Sequence, residues 1–175
     1  MDFNGLINGN SDDLLPKMIE SGIKVDLILT DPPYNLNKDF GNDSDKLPLD
    51  EFLKITKSRV ANCRDLLTPQ GSLIWFGIHH YIGFIQTIMY ESGLDYRRMN
   101  IWYYENGFSR TKTSPACQYE PFLWFSKSSK KVLKTSYKRF LSKIQVLLVL
   151  LDSLIDSNSI CKSDLSPTSN ISPVI

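Results

Sequence analysis

The chain has 175 residues, of which 42% are hydrophobic and 22% are charged, a composition typical of an ordinary globular domain. No apolar run approaches the roughly 20 residues that cross a bilayer, and the N-terminus lacks the basic-then-apolar layout of a secretory signal, so we expect no membrane association. The three cysteines (Cys63, Cys117 and Cys161) are odd in number and far apart, which fits a reducing cytoplasm better than a disulfide framework or a zinc cluster.

Charge is distributed unevenly along the chain. The formal net charge is only +1, but residues 101–150 carry nine basic and two acidic side chains, whereas residues 1–50 carry four basic and ten acidic ones. A basic region of this density can attract nucleic acid, although a solvated basic face produces the same pattern.

The first half of the chain alternates predicted helices and strands. A short strand over residues 5–8 precedes a helix for which Ser11, Asp12 and Asp13 are the N-cap candidates. The apolar run 25–30 then predicts a buried strand, 49–67 a helix that ends before Thr68-Pro69-Gln70-Gly71, 72–76 a second strand and 79–91 another helix. This order predicts an α/β fold with parallel strands.

The second half begins with two aromatic-rich segments, 100–104 and 121–126, which can pair as a long antiparallel hairpin. Strand patterns of this kind place most aromatic side chains in the core, and we expect this of Trp75, Phe76, Trp102, Trp124 and Phe125. Beyond residue 130 the composition changes. Helical spacing from Phe140 to Leu154 permits one amphipathic helix with a disordered end, and we expect no further strand.

The sequence Thr30-Asp31-Pro32-Pro33-Tyr34 lies at the carboxyl end of the first long predicted strand, where ligands bind in open α/β sheets. An aromatic amine is a poor nucleophile because its lone pair is delocalised, so an enzyme acting on it must offer acceptors for the amino hydrogens. Asp31 offers a carboxylate, the prolines offer rigid carbonyls without N–H groups, and Tyr34 offers a flat face for stacking. The plainer alternative is a strand terminator followed by a turn.

The order of these motifs is similar to that of a known family. With VDLILTDPPYNL after INGNSDDLLPKM, followed by LTPQGSLIWFG, NIWYY and YEPFLWFSKS, residues 3–129 resemble the N-terminal part of bacterial DNA adenine N6-methyltransferases of the permuted type, in which the catalytic motif comes first. The resemblance implies a partial Rossmann-like sheet, with parallel strands and an antiparallel hairpin, that lacks the strands carrying the cofactor turn.

The resemblance also implies the roles of individual residues. Asp31, Pro32, Pro33 and Tyr34 would be catalytic, with Asp31 and the Pro32 carbonyl accepting from the adenine amino group and Tyr34 stacking on the flipped base. The implied cofactor is S-adenosylmethionine, and the residues implied to contact it are Asn8, Gly9, Asn10 and Asp31. In-line transfer from a methyl sulfonium needs positioning rather than a metal, so we expect no metal site.

Two departures from the family pattern bear on the cofactor. Gly9-Asn10 stands where many relatives have Gly-Asp, with Asp12 and Asp13 just beyond, and no Phe-x-Gly-x-Gly turn occurs in the chain. We therefore divide the chain into a catalytic part, residues 1–130, and an atypical tail, residues 131–175. The tail is interpreted as out of frame or disordered, with a genuine C-terminal helix as the alternative.

Other candidate residues lie outside this motif. Arg110 and Lys112 belong to a long polar segment of a type that contacts DNA phosphates, although a plain linker fits equally. His79 and His80 are adjacent and lack the i, i+4 spacing of a metal-binding pair, so we interpret them as surface or helix-start residues.

The expected function is site-specific methylation of adenine N6 in double-stranded DNA by a truncated chain, in a bacterial restriction-modification or orphan methylation system. The expected partners are DNA and either a cognate restriction enzyme or a chain that supplies the missing cofactor turn. The alternatives are a non-catalytic DNA-binding remnant, one half of a split enzyme, and a methyltransferase acting on cytosine N4 or on an RNA or protein amine. Aspartate in the first motif position resembles the adenine-modifying version of the family, whereas the cytosine N4 enzymes more often begin with serine.

Overall fold

The computed structural model describes residues 7–36, 46–105, 107, 113, 115–128 and, by backbone alone, 146–149. Within these ranges the chain forms three helices and five strands. In chain order they are α1 Ser11–Glu20, β1 Val25–Thr30, α2 Leu49–Leu66, β2 Leu67–Phe76, α3 Ile82–Glu91, β3 Asp95–Tyr103, β4 Tyr119–Ser126 and β5 Val146–Val149.

The five strands form one mixed sheet with the order β3-β4-β2-β1-β5. β1 runs parallel to both β2 and β5, whereas β4 runs antiparallel to β2 and to β3. The predicted α/β fold, with parallel strands and an antiparallel hairpin, is confirmed. The parallel pair requires a crossover, which α2 provides between β1 and β2.

The core lies between the sheet and the helices. Ile28 of β1, Trp75 of β2 and Phe125 of β4 are fully buried, together with Val60 of α2 and Met89 of α3. Successive strand residues face opposite sides of the sheet. Leu27 and Leu29, which alternate with Ile28, are accordingly only half-buried, so the better-covered face of β1 is the one that carries Ile28.

The N-cap of α1 differs from the prediction. Asn10 is the cap, and its side-chain oxygen accepts a hydrogen bond of 2.8 Å from the backbone N–H of Asp12. The expected candidates Ser11, Asp12 and Asp13 all lie inside the helix. Asparagine is as favourable an N-cap residue as serine or aspartate, so the sequence alone did not decide which residue of this segment caps the helix.

The expected strand at 5–8 is absent at residues 7 and 8, and residues 5 and 6 lie outside the described part of the chain.

The junction between α2 and β2 is tighter than expected. The helix ends as predicted, but Thr68-Pro69-Gln70-Gly71 belongs to β2 rather than to a loop. The register shifts here, because Val25 pairs with Leu67 and Leu27 with Ser72. This irregularity accommodates a proline in the strand. A Cβ on Gly71 would lie 3.1 Å from the Val25 carbonyl oxygen, so this position favours glycine.

The strand β5 contradicts the expectation of a helix and no further strand after residue 130. Residues 146–149 pair in parallel with residues 27–30 of β1. A short apolar run is compatible with a strand or a helix, and periodicity cannot separate the two. Pairing with β1 satisfies backbone groups that would otherwise be unpaired at the sheet edge, and that favours the strand. The division at residue 130 stays a prediction.

The hairpin β3–β4 confirms the predicted antiparallel pairing, with longer strands than expected. Of the five aromatic residues expected in the core, Trp75 and Phe125 are fully buried and Phe76 and Trp124 are half-buried. The expectation is wrong for Trp102, which is 60% exposed. Trp102 lies on β3, an edge strand of the sheet, where no element among the described residues covers it.

In the part of the chain that the structure describes, no helix combines the length and the apolar character needed to span a membrane.

Candidate active site

The Asp-Pro-Pro-Tyr motif lies where the sequence pattern predicts it, directly after β1. Thr30, the last residue of β1, pairs with Trp75 near the end of β2, so the carboxyl ends of the two parallel strands lie at the same edge of the sheet. Asp31 is exposed at this edge, Pro32 is buried, and Pro33 and Tyr34 are half-buried. A rigid, buried backbone thus presents an accessible carboxylate.

Asp31 and Tyr34 contact each other directly. The phenolic hydroxyl of Tyr34 donates a hydrogen bond of 2.5 Å to Asp31 Oδ1. Burial raises the pKa of the Tyr34 phenol far above its ordinary value, and the hydrogen bond and the negative charge of Asp31 raise it further. Tyr34 therefore stays a neutral donor at physiological pH, and Asp31 acts as an acceptor.

A small pocket opens beside the motif. Its walls come from four parts of the fold: Pro32, Pro33 and Tyr34 after β1; Phe52, Thr56 and Arg59 of α2; Trp75, Gly77 and Ile78 at the end of β2; and Tyr81 and Ile85 at α3. The rings of Phe52 and Tyr81 pack against each other with centroids 5.1 Å apart.

Sequence reasoning did not single out the contribution of α2 to this pocket. Phe52, Thr56 and Arg59 are four and then three residues apart, which places them on one face of a helix. That spacing is visible in the sequence. Which face would turn toward the motif is not, because it depends on how α2 packs against its neighbours.

Arg59 links the pocket to the start of α1. Its guanidinium donates two parallel hydrogen bonds of 2.8 Å to the carboxylate of Asp12, and the Arg59 side chain is only 14% exposed. Asp12 is therefore held by Arg59. The neighbouring residues that sequence reasoning assigned to the cofactor, Asn8, Gly9 and Asn10, are all exposed. Asn10 already uses its side-chain oxygen to cap α1.

The hairpin β3–β4 brings further polar side chains to the same edge, because the start of β4 lies beside the end of β2. Glu120 and Tyr104 contribute electrostatically to the raised pKa of Tyr34. Cys117 Sγ lies 3.8 Å from His79 Nδ1. Neither Glu120 nor Tyr104 was singled out by sequence reasoning, because only the antiparallel pairing places them near Tyr34.

Several predicted residues do not join this cluster. Arg110 and Lys112 lie outside the described residues. His79 and His80 precede α3 in an exposed turn, which fits their interpretation as surface or helix-start residues. Among the residues that the structure describes, no group of three or more His, Cys, Asp or Glu side chains is arranged to hold a metal ion.

Comparison with known proteins gives consistent matches. A family described as DNA methylase matches residues 25–158. The type II methyltransferase M.HpaI of Haemophilus parainfluenzae is 34% identical over 128 residues, which cover 72% of this chain and 40% of that protein. The type II methyltransferase M.BglII of Bacillus subtilis is 32% identical over 152 residues, which cover 82% and 39% respectively. The chain thus spans about two fifths of the length of these relatives.

Solved structures share the fold. The M1.HpyAVI–SAM complex aligns with a TM-score of 0.55 at 23% identity, covering 73% of this chain and 55% of that one. The PvuII DNA methyltransferase, described as cytosine-N4-specific, aligns with a TM-score of 0.55 at 17% identity, covering 81% and 55%. At these identities the similarity establishes the architecture of the sheet and its helices.

Proposed function

Because this chain belongs to the DNA methylase family, we propose that the site at the end of β1 transfers a methyl group from S-adenosylmethionine to the N6 amino group of adenine in double-stranded DNA. One observation carries this proposal. Asp31, which is exposed, directly precedes the buried Pro32, and the motif lies beside a pocket lined by aromatic side chains. This arrangement offers what a flat aromatic amine needs, namely fixed acceptors for its two hydrogens and rings to stack on.

The chemistry assigned to the residues follows from their positions. Asp31 accepts one amino hydrogen and the Pro32 carbonyl accepts the other, which localises electron density on the nitrogen that attacks. Tyr34 stacks on the base. The base must leave the duplex to reach this edge, because its amino group is inaccessible within stacked DNA. The pocket walls then exclude water and hold the amine in line for transfer.

The polar groups at the start of α1 fit the adenosine end of S-adenosylmethionine. The N-terminus of α1 lies near the pocket, because Arg59, which lines the pocket, binds Asp12 in the first turn of α1. Asn8, Gly9 and Asn10 are exposed there, and the amide nitrogen of Asn10 is a donor that its capping bond does not use. When bound, S-adenosylmethionine supplies a methyl group on an electrophilic sulfonium.

The methionine end of this cofactor has no glycine-rich turn to receive it in this sequence. We propose that the turn is supplied from outside this chain, by a partner chain or by a longer form of the protein. A restriction-modification system remains the proposed setting, with a cognate restriction enzyme as its other component. The proposed compartment is the cytoplasm, where bacterial DNA is present.

The proposal is tested by incubating the chain, alone and mixed with a segment that carries a Phe-x-Gly-x-Gly turn, with radiolabelled S-adenosylmethionine and unmethylated genomic DNA. The labelled nucleoside is then identified after digestion. We expect N6-methyladenine. Asp31→Ala should lower transfer at least about 100-fold, because the acceptor for the amino group is lost. Asp50→Ala, which removes an exposed carboxylate in the first turn of α2 outside the pocket lining, is the matched control and should leave transfer unchanged.

Other outcomes would replace the proposal. Labelled N4-methylcytosine would assign the site to cytosine, as described for the PvuII enzyme. Binding of duplex DNA without transfer in either mixture would identify a non-catalytic remnant, whereas transfer only with the added segment would identify one half of a split enzyme. Transfer to RNA or protein alone would reject a DNA substrate.

A further inference from the structure

Asn35, the residue after the Asp-Pro-Pro-Tyr motif, has an unusual backbone conformation. Its φ is +59°, and it is the only residue other than glycine with a positive φ among those the structure describes. Asparagine tolerates this left-handed region better than most residues because its short polar side chain can form local hydrogen bonds. The chain therefore turns sharply directly after Tyr34.

The side chain of Asn35 binds the backbone of Leu47 through two hydrogen bonds. Asn35 Nδ2 donates to the Leu47 carbonyl oxygen at 3.0 Å, and the Leu47 N–H donates to Asn35 Oδ1 at 2.6 Å. One amide thus satisfies both backbone groups of a residue twelve positions away. We refer to this pair of bonds as the Asn35 clasp.

The clasp fixes the start of α2 to the catalytic motif. Leu47 precedes Pro48, the N-cap of α2, which makes no side-chain capping hydrogen bond. The first turn of α2 carries Phe52, whose backbone N–H donates to the Pro48 carbonyl at 2.9 Å and whose ring packs on Tyr81 in the pocket wall. Through Leu47, the clasp connects the Tyr34 side of the pocket with the Phe52 side.

We propose that Asn35 is a positioning residue, whose clasp on Leu47 sets where the Tyr34 ring stands between Asp31 and the wall formed by α2. The Tyr34 hydroxyl donates a hydrogen bond to Asp31 Oδ1, and Tyr34 also lines the pocket. A small rotation of the motif therefore changes both the position of the Asp31 carboxylate and the position of the Tyr34 ring. The consequence for turnover rests on the proposed methyl transfer, but the position of the ring does not.

Two substitutions of Asn35 and one control test the inference. Asn35→Gly keeps the positive φ accessible and removes both hydrogen bonds. Asn35→Asp keeps an acceptor for the Leu47 N–H and removes the donor to the Leu47 carbonyl. Asn62→Ala is the matched control, because Asn62 lies on α2 outside the pocket lining. If Asn35→Gly fails to fold, Asn35→Asp decides the result.

The primary measurement is fluorine NMR of the full chain labelled with 3-fluorotyrosine. The chain has eight tyrosines, and the Tyr34 resonance is the one missing from Tyr34→Phe. We expect both Asn35 variants to shift this resonance, whereas Asn62→Ala leaves it in place. An unshifted Tyr34 resonance in both Asn35 variants, with only a lower melting temperature, would show a purely structural turn. An equal shift in Asn62→Ala would also overturn the proposal.

The second measurement separates kcat from KM in the methylation assay. A misplaced Tyr34 and Asp31 should lower kcat of Asn35→Gly about 10- to 100-fold, with KM for S-adenosylmethionine changed less than about twofold. An unchanged kcat would contradict the role in turnover. If the wild-type chain transfers no methyl group even with a segment that supplies the cofactor turn, the proposed function fails, while the NMR result still decides whether Asn35 positions Tyr34.

Discussion

The Tyr34 hydroxyl donates a hydrogen bond of 2.5 Å to Asp31 Oδ1, so the carboxylate proposed to accept the substrate's amino group already has a donor in the free protein. An incoming amine can displace this hydroxyl, share Oδ1 with it or use the second carboxylate oxygen. The two functions proposed for Tyr34, stacking and contact with Asp31, reside in different parts of its side chain, namely the ring and the hydroxyl.

Substitutions of Tyr34 should therefore separate these two functions. Tyr34→Phe keeps the ring and removes the competing donor, so we expect the Kd for a duplex with an unpaired target adenine to be unchanged or lower. Tyr34→Ala removes the ring and should weaken binding by about 1–3 kcal/mol, the usual contribution of base–aromatic stacking. Fluorescence anisotropy measures both, with Tyr90→Phe as the control because Tyr90 lies on α3 outside the pocket lining. Equal Kd values for Tyr34→Phe and Tyr34→Ala would rule out stacking.

The pair formed by Arg59 and Asp12 should stabilise the contact between α1 and α2. Its two parallel hydrogen bonds and the low exposure of Arg59 distinguish it from the exposed pair of Lys57 and Glu91. We expect Asp12→Ala to lower the free energy of unfolding by about 1–2 kcal/mol, since it leaves a largely buried guanidinium without its bidentate partner.

Denaturant unfolding measures this loss. Glu91→Ala is the matched control and should cost less than about 0.5 kcal/mol, as exposed ion pairs usually do. A double-mutant cycle with Arg59→Ala isolates the coupling between the two side chains, because Arg59 also lines the pocket. A coupling energy near zero would show that the pair adds nothing to stability.

The two cysteines in the described part of the chain should differ in reactivity. Cys63 is fully buried, and burial raises its pKa to about 12, whereas Cys117 is partly exposed. At pH 8 we expect iodoacetamide to modify Cys117 in the native protein and Cys63 only after unfolding, because the thiolate is the reactive form. Peptide mass mapping identifies the modified residue. Native modification of Cys63 at the rate seen for Cys117 would contradict the packing of α2.

The raised pKa of Cys63 also predicts a pH dependence of stability. The thiol ionises near pH 8.5 in the unfolded chain and only near pH 12 in the folded one, so the folded state binds more protons between these values. The free energy of unfolding should therefore fall as pH rises through this window. Cys63→Ala should remove that part of the slope, and an identical slope in the variant would refute the assignment.

Two tryptophans should contribute very differently to stability. Trp75 is 1% exposed in the centre of the sheet, whereas Trp102 is 60% exposed on the edge strand β3. Trp75→Ala should lower the free energy of unfolding by about 3–5 kcal/mol, and Trp102→Ala should change it by less than about 0.5 kcal/mol. Chemical denaturation measures both. Similar losses would mean that Trp102 is covered in solution.

The sequence allowed the strand β1, the helix α2 and the position of the Asp-Pro-Pro-Tyr motif to be predicted correctly, because their signals are local. An unbroken apolar run ending in two prolines leaves few alternatives to a buried strand followed by a turn. The strand β5 was missed for the opposite reason. Its four residues satisfy helical and strand patterns equally, and only the open edge of β1 decides between the two.

The sequence by itself determined the order of elements from α1 to β4, the position of Asp31-Pro32-Pro33-Tyr34 at a strand end, and the family to which the chain belongs. Only the tertiary structure decided which side chains face that motif. Phe52 and Arg59 reach it through the packing of α2, Glu120 through antiparallel pairing, and Leu47 through the side chain of Asn35. Local patterns follow from backbone preference and the alternation of polar and apolar residues. Contacts between residues far apart in the chain depend on how the helices and strands pack together, which no local pattern encodes.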